Sequence, residues 1–220
     1  MSTESFAEEL LTWYAKNKRD FSWRRTKDPY KILVAEMMLQ KTTSKQVAEL
    51  FDRFIEEYPS PEALAKASIS EIEEMITPLG IEHRRAYRFK NWAQEIVEKH
   101  DGQVPRRKKE LTSLHGVGDY IANAVLCLAY DENEPLLDAN AVRVLQRFFG
   151  IKSPKARART DKALWETYGK MIPNGKARDF NLAVIDFAAL VCTAKNPKHD
   201  VCPVSRACQF IKSGGDPPEY

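Results

Sequence analysis

The sequence lacks any apolar run long enough to span a membrane, and its first residues, Met1-Ser2-Thr3-Glu4, have no signal-peptide pattern. It also lacks alternating strands of useful length, internal repeats and low-complexity linkers. Cysteine is scarce, with 4 residues in 220, and nothing in the chain indicates secretion, which disfavours disulfides. We therefore expect a soluble protein of the cytoplasm that has no membrane partner.

Helical periodicity runs through nearly the whole chain. Apolar residues recur at helical spacing over residues 47–58 and 86–97. Helix starts are marked by Asp28-Pro29, by Ser60-Pro61 and by the spacing of Ser70 and Glu73. Because 43% of the residues are hydrophobic, a chain of this length can bury a real core. The pattern predicts an all-α fold of about ten short helices arranged as two lobes.

Positive charge is collected in four clusters. The formal net charge is only +3, from 34 Lys and Arg residues against 31 Asp and Glu residues. Basic residues gather at 18–27, 83–90, 105–109 and 155–162, while acidic residues gather at 49–74. Such runs are often solvated helix faces, but clusters that flank one glycine turn also suit a groove that contacts phosphates.

That turn is Leu114-His115-Gly116-Val117-Gly118, which lies between two helical patterns. Glycine permits a positive φ and leaves no Cβ in the way, so we expect both Gly116 and Gly118 to use this freedom. The amides of the turn and of the following helix can then face a phosphate oxygen. An ordinary helix connection with a glycine cap has the same pattern, so the other motifs of the chain must decide between the two.

Those motifs resemble the helix-hairpin-helix DNA glycosylases of the endonuclease III and adenine glycosylase (MutY) superfamily, and within it the thymine-DNA mismatch glycosylases. They follow the family's order across nearly the whole chain: Arg19-Asp20-Phe21-Ser22-Trp23-Arg24, Asp28-Pro29-Tyr30, Glu36-Met37-Met38-Leu39-Gln40, the turn of residues 114–118 and Asp138-Ala139-Asn140. The resemblance implies a two-lobed fold with a DNA-binding cleft between the lobes. One lobe is a six-helix barrel domain of residues 28–140, and the other combines residues 1–27 with 141–220.

The resemblance also implies a partner, which is double-stranded DNA that carries a mismatched base. We expect the protein to bind it as a monomer. The DNA-contacting residues that the motifs predict are Leu114, His115, Gly116, Val117 and Gly118 of the turn, with Gln40 and Lys41. These last two match the wedge that fills the gap left by a flipped base, although a polar helix end is the alternative interpretation.

Two carboxylates are candidate catalytic groups. Asp138 precedes the helical pattern of residues 139–149, where an aspartate commonly caps the helix. The resemblance gives Asp138 the further role of stabilising an oxocarbenium-like sugar and aligning water. Glu36 lies in an otherwise apolar helix, so it either snorkels at an edge or faces a cleft, and the matching glutamate of adenine glycosylases protonates the leaving base. Asp186, inside an apolar run, is expected to be structural.

Tyr120 is the third predicted catalytic-site residue. It occupies the position at which bifunctional relatives carry the lysine that attacks the sugar. Because tyrosine cannot form an imine, the resemblance implies a monofunctional glycosylase in which Tyr120 lines the base pocket. An aromatic side chain that simply packs at a helix start is the alternative.

Three cysteines near the C-terminal end have metal-ligand spacing. Cys192, Cys202 and Cys208 match three ligands of the family's Cys-x6-Cys-x2-Cys-x5-Cys loop, and His199 stands at the second ligand position. Ligand chemistry alone predicts a structural zinc site. The resemblance predicts instead a [4Fe-4S] cluster with one histidine ligand, with zinc or a lost cluster as alternatives. Cys127 is interpreted as a small buried hydrophobe.

Substrate choice depends on the residues that follow Glu36. Adenine glycosylases have Leu-Gln-Gln-Thr-Gln-Val there, whereas this chain has Leu39-Gln40-Lys41-Thr42-Thr43, with the Thr-Thr of the thymine mismatch type. We predict hydrolysis of the N-glycosidic bond of thymine or uracil opposite guanine. Adenine opposite guanine or 8-oxoguanine is the alternative. A non-catalytic helix-hairpin-helix DNA-binding protein is a third possibility, but such a module has no need for Glu36 and Asp138 together.

Overall fold

The computed structural model describes residues 2–215, and within that part of the chain it contains α-helices and short 3-10 helices but no strand. The all-α prediction is therefore confirmed. None of the helices described there has the length and hydropathy needed to cross a bilayer. The helices are α1 (Thr3–Asn17), α2 (Pro29–Leu39), α3 (Ser44–Ala48), α4 (Phe51–Glu57), α5 (Pro61–Lys66), α6 (Ile69–Ile76), α7 (Glu82–His100), α8 (Lys108–Ser113), α9 (Asp119–Tyr130), α10 (Ala139–Phe149), α11 (Lys162–Met171), α12 (Ala177–Leu190) and α13 (Gln209–Lys212).

The single helix predicted over residues 47–58 is divided into α3 and α4. Leu50 donates its backbone N–H to the carbonyl of Val47 at 3.1 Å, a tight turn that ends α3. Its φ of −119° lies outside the helical range, and α4 begins at the next residue. Interruptions of this kind leave the apolar periodicity nearly intact, so the pattern predicted fewer helices than the described residues contain.

Helix starts follow the predicted caps at two of three positions. The Asp28 side chain accepts the backbone N–H of Tyr30 at 2.9 Å. Ser60 likewise accepts from Ala63 at 3.3 Å. The start predicted from Ser70 and Glu73 is wrong, because α6 begins at Ile69 and is closed by a reciprocal capping box. In that box Ser68 accepts from the amide of Glu71, whose carboxylate accepts from the amide of Ser68.

The first of two compact units comprises residues 20–130 and contains α2 to α9. Within it α7 packs against α5 and α6, and α2 packs against α9. The rings of Phe54 and Phe89 lie 5.2 Å apart in its core, and Trp92 is fully buried beside Phe89. This unit holds the glycine turn, Glu36, Gln40, Lys41 and Tyr120.

The second unit comprises Met1–Arg19 and Asp131–Tyr220, of which residues 2–19 and 131–215 are described. Its helices α1 and α10 both pack against α12. The fully buried Asp186 of α12 accepts the backbone N–H of Arg19 at 2.8 Å and its Nε at 2.6 Å. The structural role predicted for Asp186 is therefore confirmed. This unit holds Asp138 and the cysteine-rich loop.

Contacts divide the chain at residues 19/20 and 130/131 rather than at the predicted 27/28 and 140/141. Trp23 explains the first difference, because its ring stacks on Phe21 and meets Phe51 of α4 at 5.5 Å. Asn181 of α12 explains the second. Its amide accepts from Leu136 and donates to the carbonyl of Glu134, both at 2.9 Å, which ties this segment to α12.

Candidate active site and DNA-binding turn

The glycine turn joins α8 to α9 within the first unit. Gly116 has a φ of +84°, which a residue with a side chain adopts only at a cost. Gly118 does not have a positive φ, so the expectation for both glycines is wrong at Gly118. The side chains of Leu114 and Val117 are buried, and the amide of Val117 donates to the carbonyl of Leu114 at 3.1 Å. Of these two residues only the backbone can meet DNA.

The exposed side of the turn presents open backbone. A Cβ added to Gly118 meets no atom within 4 Å. The amide of His115 donates to the Glu95 carboxylate at 3.1 Å, whereas no acceptor among residues 2–215 pairs with the amides of Gly116 and Gly118. Two amides without an acceptor among the described residues, one of them on a glycine whose Cα faces open space, form a site that a phosphate oxygen can approach.

The two glycines give a matched pair of substitutions. We expect Gly116→Ala to lower the free energy of unfolding by about 1–2 kcal/mol, since a left-handed φ disfavours a Cβ by that amount. The new methyl would also lie 3.1 Å from Arg88 Cδ. Gly118→Ala should keep the stability of the parent protein but weaken binding to duplex DNA, because its methyl occupies the open approach. Urea unfolding and fluorescence anisotropy measure the two effects, and normal DNA affinity of Gly118→Ala would contradict this interpretation of the turn.

The predicted wedge lies beside the turn. Gln40 follows α2 directly, and its side-chain Nε2 donates to the carbonyl of Gly116 at 3.3 Å. Its Oε1 accepts from Arg88 at 2.9 Å. Lys41 is exposed and has a φ of +58°, so the chain turns sharply there. The structure thus brings Gln40 and the glycine turn together.

Arg85 of α7 is a residue that the sequence interpretation missed. It is buried, and its guanidinium donates to the carbonyls of Met37 at 2.7 Å and Met38 at 2.9 Å. It also donates to the carbonyl of Gln40 at 3.1 Å and to the hydroxyl of Thr42 at 2.9 Å. These bonds satisfy carbonyls that the end of a helix leaves without partners. Arg85 therefore holds the backbone from which Gln40 and Lys41 project.

Ile81 is a second residue that the sequence interpretation missed. Its side chain is 55% exposed, and its φ of +50° is rare for a β-branched residue. The Thr42 hydroxyl donates to the carbonyl of Leu79 at 3.4 Å, which joins this loop to the one that carries Lys41. An exposed apolar side chain on a strained turn has the chemistry of groups that insert between bases. The sequence signal was weak, an isoleucine directly after a glycine.

Glu36 and Tyr120 lie on two helices that pack against each other, α2 and α9. Glu36 is 8% exposed, so the structure favours burial over an exposed helix edge. Burying a carboxyl among the apolar residues of α2 costs free energy unless hydrogen bonds or an ion pair offset that cost. Tyr120 is half-buried in the first turn of α9, directly after the glycine turn.

Asp138 caps α10, as predicted. Its Oδ1 accepts the backbone N–H of Ala141 at 2.7 Å. Its Oδ2 accepts from the Asn140 side chain at 2.6 Å. The side chain is half-buried, and the two bonds hold its carboxylate in one orientation.

A chain of hydrogen bonds leads from Asp138 to the cysteine-rich loop. Arg143 donates to Asn140 Oδ1 at 3.1 Å, and Asn140 is the residue bonded to Asp138. The same guanidinium donates to the carbonyl of Cys192 at 2.9 Å and to that of Ala188 at 2.9 Å. One helix, α10, therefore holds both the predicted catalytic carboxylate and the start of the loop.

The four predicted metal ligands, Cys192, His199, Cys202 and Cys208, line one pocket. Arg147 of α10 lies against this pocket. Its guanidinium donates to Cys192 Sγ at 3.7 Å, and its backbone carbonyl accepts from Cys208 Sγ at 3.4 Å. Within residues 2–215, no three His, Cys, Asp or Glu side chains are arranged around a single metal position. The fold thus brings the four predicted ligands to one pocket, although their side chains are not arranged around a single metal position.

The chemistry of this pocket fits a group that binds thiolates. The pKa of the Cys202 thiol is raised to about 11, chiefly by burial, with a smaller contribution from the neighbouring Cys208 and Cys192. Bound iron offsets such a cost, because metals bind the thiolate. Arg147 also lines the pocket, and its Nε is buried without an acceptor among the described residues. Three cysteines and one histidine that line one pocket are ligands that a zinc ion and an iron-sulfur cluster can both use.

A helical protein with an open glycine turn in one unit and a helix-capping aspartate in the other has the features of helix-hairpin-helix DNA-repair proteins. Comparison with family models supports this class. Residues 34–170 match the HhH-GPD superfamily of base excision DNA repair proteins, and residues 192–208 match the iron-sulfur binding domain of endonuclease III. The chain belongs to the HhH-GPD superfamily.

Individual relatives match over nearly their whole length. A thymine/uracil-DNA glycosylase of Pyrobaculum aerophilum is 45% identical, with 94% of this chain and 92% of the relative covered. A thymine-DNA glycosylase of Aeropyrum pernix is 42% identical, with 96% of each chain covered. The solved structure of a thermostable thymine-DNA glycosylase is 38% identical and superimposes with a TM-score of 0.91, covering 96% of this chain and 97% of that one.

Proposed function

We propose that this protein is a monofunctional DNA glycosylase of base excision repair, which hydrolyses the N-glycosidic bond of thymine or uracil mispaired with guanine. The observation that carries the proposal is the 45% identity, over nearly the whole chain, to a relative described as a thymine/uracil-DNA glycosylase. The Thr42-Thr43 pair after Lys41 supports the same substrate class.

In the proposed mechanism Asp138 faces the sugar of the flipped nucleotide. Its carboxylate stabilises positive charge that develops on the sugar as the base departs, and it aligns the attacking water. The bonds from Ala141 and Asn140 support this role, because they orient the carboxylate before substrate arrives. Glu36 contributes a buried carboxyl that contacts the leaving base, and Tyr120 lines the base pocket.

DNA binding is assigned to the first unit's exposed turn and its neighbours. The open amides of Gly116 and Gly118 contact a backbone phosphate, with His115 beside them and Leu114 and Val117 as buried anchors. Gln40 and Lys41 fill the gap left by the flipped base, and Ile81 adds an apolar group that separates neighbouring bases. The partner is double-stranded DNA with a mispair, which the protein binds as a monomer.

The proposed cofactor is a [4Fe-4S] cluster held by Cys192, Cys202, Cys208 and His199. The match of residues 192–208 to an iron-sulfur binding domain supports it. When bound, the cluster would cross-link the loop through these four side chains. Histidine can complete an iron-sulfur centre through a ring nitrogen.

Duplexes with a single T:G, U:G, A:G or A:8-oxoguanine pair test the proposed function. We expect base loss from T:G and U:G, with strand scission appearing only after alkali or heat, because Tyr120 cannot form an imine. Borohydride should trap no covalent protein-DNA adduct. Tyr120→Lys is the informative variant, since it restores an amine at this position.

The outcomes separate the alternatives. Excision confined to the A:G and A:8-oxoguanine duplexes would assign an adenine glycosylase. Binding to all duplexes without base loss from any would assign a non-catalytic DNA-binding protein. An efficient borohydride adduct with the parent protein would mean that another lysine, such as Lys41, reaches the sugar, and the monofunctional assignment would be wrong.

A further inference from the structure

The side chain of Gln40 is held by three contacts. Its Nε2 lies 3.3 Å from the carbonyl oxygen of Gly116 and 3.5 Å from Met37 Sδ, while its Oε1 accepts from Arg88 at 2.9 Å. Arg88 also lies against the turn, since a Cβ at Gly116 would come within 3.1 Å of Arg88 Cδ. One arginine therefore bonds the predicted wedge residue and lies beside the glycine turn.

The backbone beneath Gln40 is held separately. Arg85 bonds the carbonyl of Gln40 and the hydroxyl of Thr42, and it is buried, whereas Gln40 and Arg88 are half-buried. The path of the loop and the orientation of the Gln40 side chain are thus set by different arginines. A substitution at Arg88 can change the orientation of the side chain while Arg85 keeps the loop in place.

We propose that Arg88 is a positioning residue that orients Gln40 in the free enzyme, so that the side chain enters the duplex already ordered when the turn meets DNA. The inference rests on the proposed function, because it concerns how the same site opens a mispair. Fixing an unrestrained glutamine side chain in one conformation costs a free energy equivalent to about a tenfold change in a rate constant. Arg88 removes that cost before DNA binds.

A double-mutant cycle between Arg88→Met and Gln40→Met tests this coupling. Methionine at position 88 keeps the aliphatic stem beside Gly116 and removes the donor to Gln40 Oε1. The readouts are the rate of base opening, followed by stopped-flow fluorescence of 2-aminopurine next to a G:T mispair, and the single-turnover excision rate. We expect Arg88→Met to slow opening about tenfold when Gln40 is present and to have no further effect in Gln40→Met.

Arg84→Met is the matched control. Arg84 is an exposed arginine of the same helix with no hydrogen bond to Gln40 among the described contacts. The Arg84→Met variant loses the same positive charge, so it should weaken DNA binding. Its effect on the rate of base opening should be additive with that of Gln40→Met. If Arg88→Met has the same effect in both backgrounds, or only the effect of Arg84→Met, then Arg88 acts through its charge on DNA and the proposal is overturned.

Two further measurements keep the test decisive. The melting temperature of each variant identifies a folding defect, in which case Arg88→Leu, which also lacks the donor to Gln40 Oε1, replaces Arg88→Met in the cycle and should be coupled to Gln40 in the same way. Absence of excision by the parent protein on every mispair would remove the proposed function. The fluorescence cycle would still report whether Arg88 acts through Gln40, so the two failures are distinguishable.

Discussion

Asp138→Asn should reduce single-turnover base removal by about 10³-fold or more while leaving mismatch binding largely intact, because the lost charge acts mainly on the transition state. Asparagine caps helices as well as aspartate does, and its oxygen can still accept from the amide of Ala141. The helix should therefore remain folded. Rapid-quench excision assays and anisotropy with a G:T duplex measure the two quantities.

Asp161→Asn is the control for this experiment. Asp161 caps α11 in the same unit, accepting from the amide of Ala163 at 3.1 Å, and has no proposed part in the chemistry. It should excise at the parent rate. Normal excision by Asp138→Asn would refute the catalytic assignment. A large loss of its DNA affinity would show instead that the aspartate serves mainly as a structural cap.

Cys202→Ala should abolish iron binding and lower the free energy of unfolding by about 3 kcal/mol or more, the size of effect that follows loss of a structural metal. The parent protein, isolated without oxygen, should be brown and contain iron. Because Arg143 links the carbonyl of Cys192 to Asn140 and so to Asp138, the folded fraction of the variant should also excise more slowly. Iron analysis, visible absorption and thermal unfolding measure the effects.

Two variants sharpen this result. Cys127→Ala truncates a fully buried thiol of α9 in the other unit, so it should cost about 1 kcal/mol through a small cavity and keep the full iron content. His199→Cys should retain the colour, since thiolate replaces imidazole as the fourth ligand. A colourless parent protein with one equivalent of zinc would establish a zinc site instead, and a protein with neither metal would mean that the three cysteines are remnants.

Features that depend on neighbouring residues could be predicted from the sequence. The caps at Asp28, Ser60 and Asp138 each bond an amide two or three residues away, so residue type and position were sufficient to identify them. Periodicity identified α7 and α10 in the same way. The buried Asp186 was also interpreted correctly, because a carboxylate in an apolar helix needs a partner wherever that partner lies.

Other features were decided only by tertiary structure. Gly116 and Gly118 look equivalent in the sequence, yet of the two only Gly116 has a positive φ, and only there would a Cβ meet the side chains of Arg88 and Met37. Arg88 bonds Gln40 across 48 residues, and Arg143 reaches Cys192 across 49. Periodicity and capping record contacts within a few residues, whereas bonds across such distances form only when whole helices pack. The sequence therefore determined the all-helical character of the chain and the identity of the candidate groups, whereas tertiary packing determined where some helices are divided and which of those groups meet.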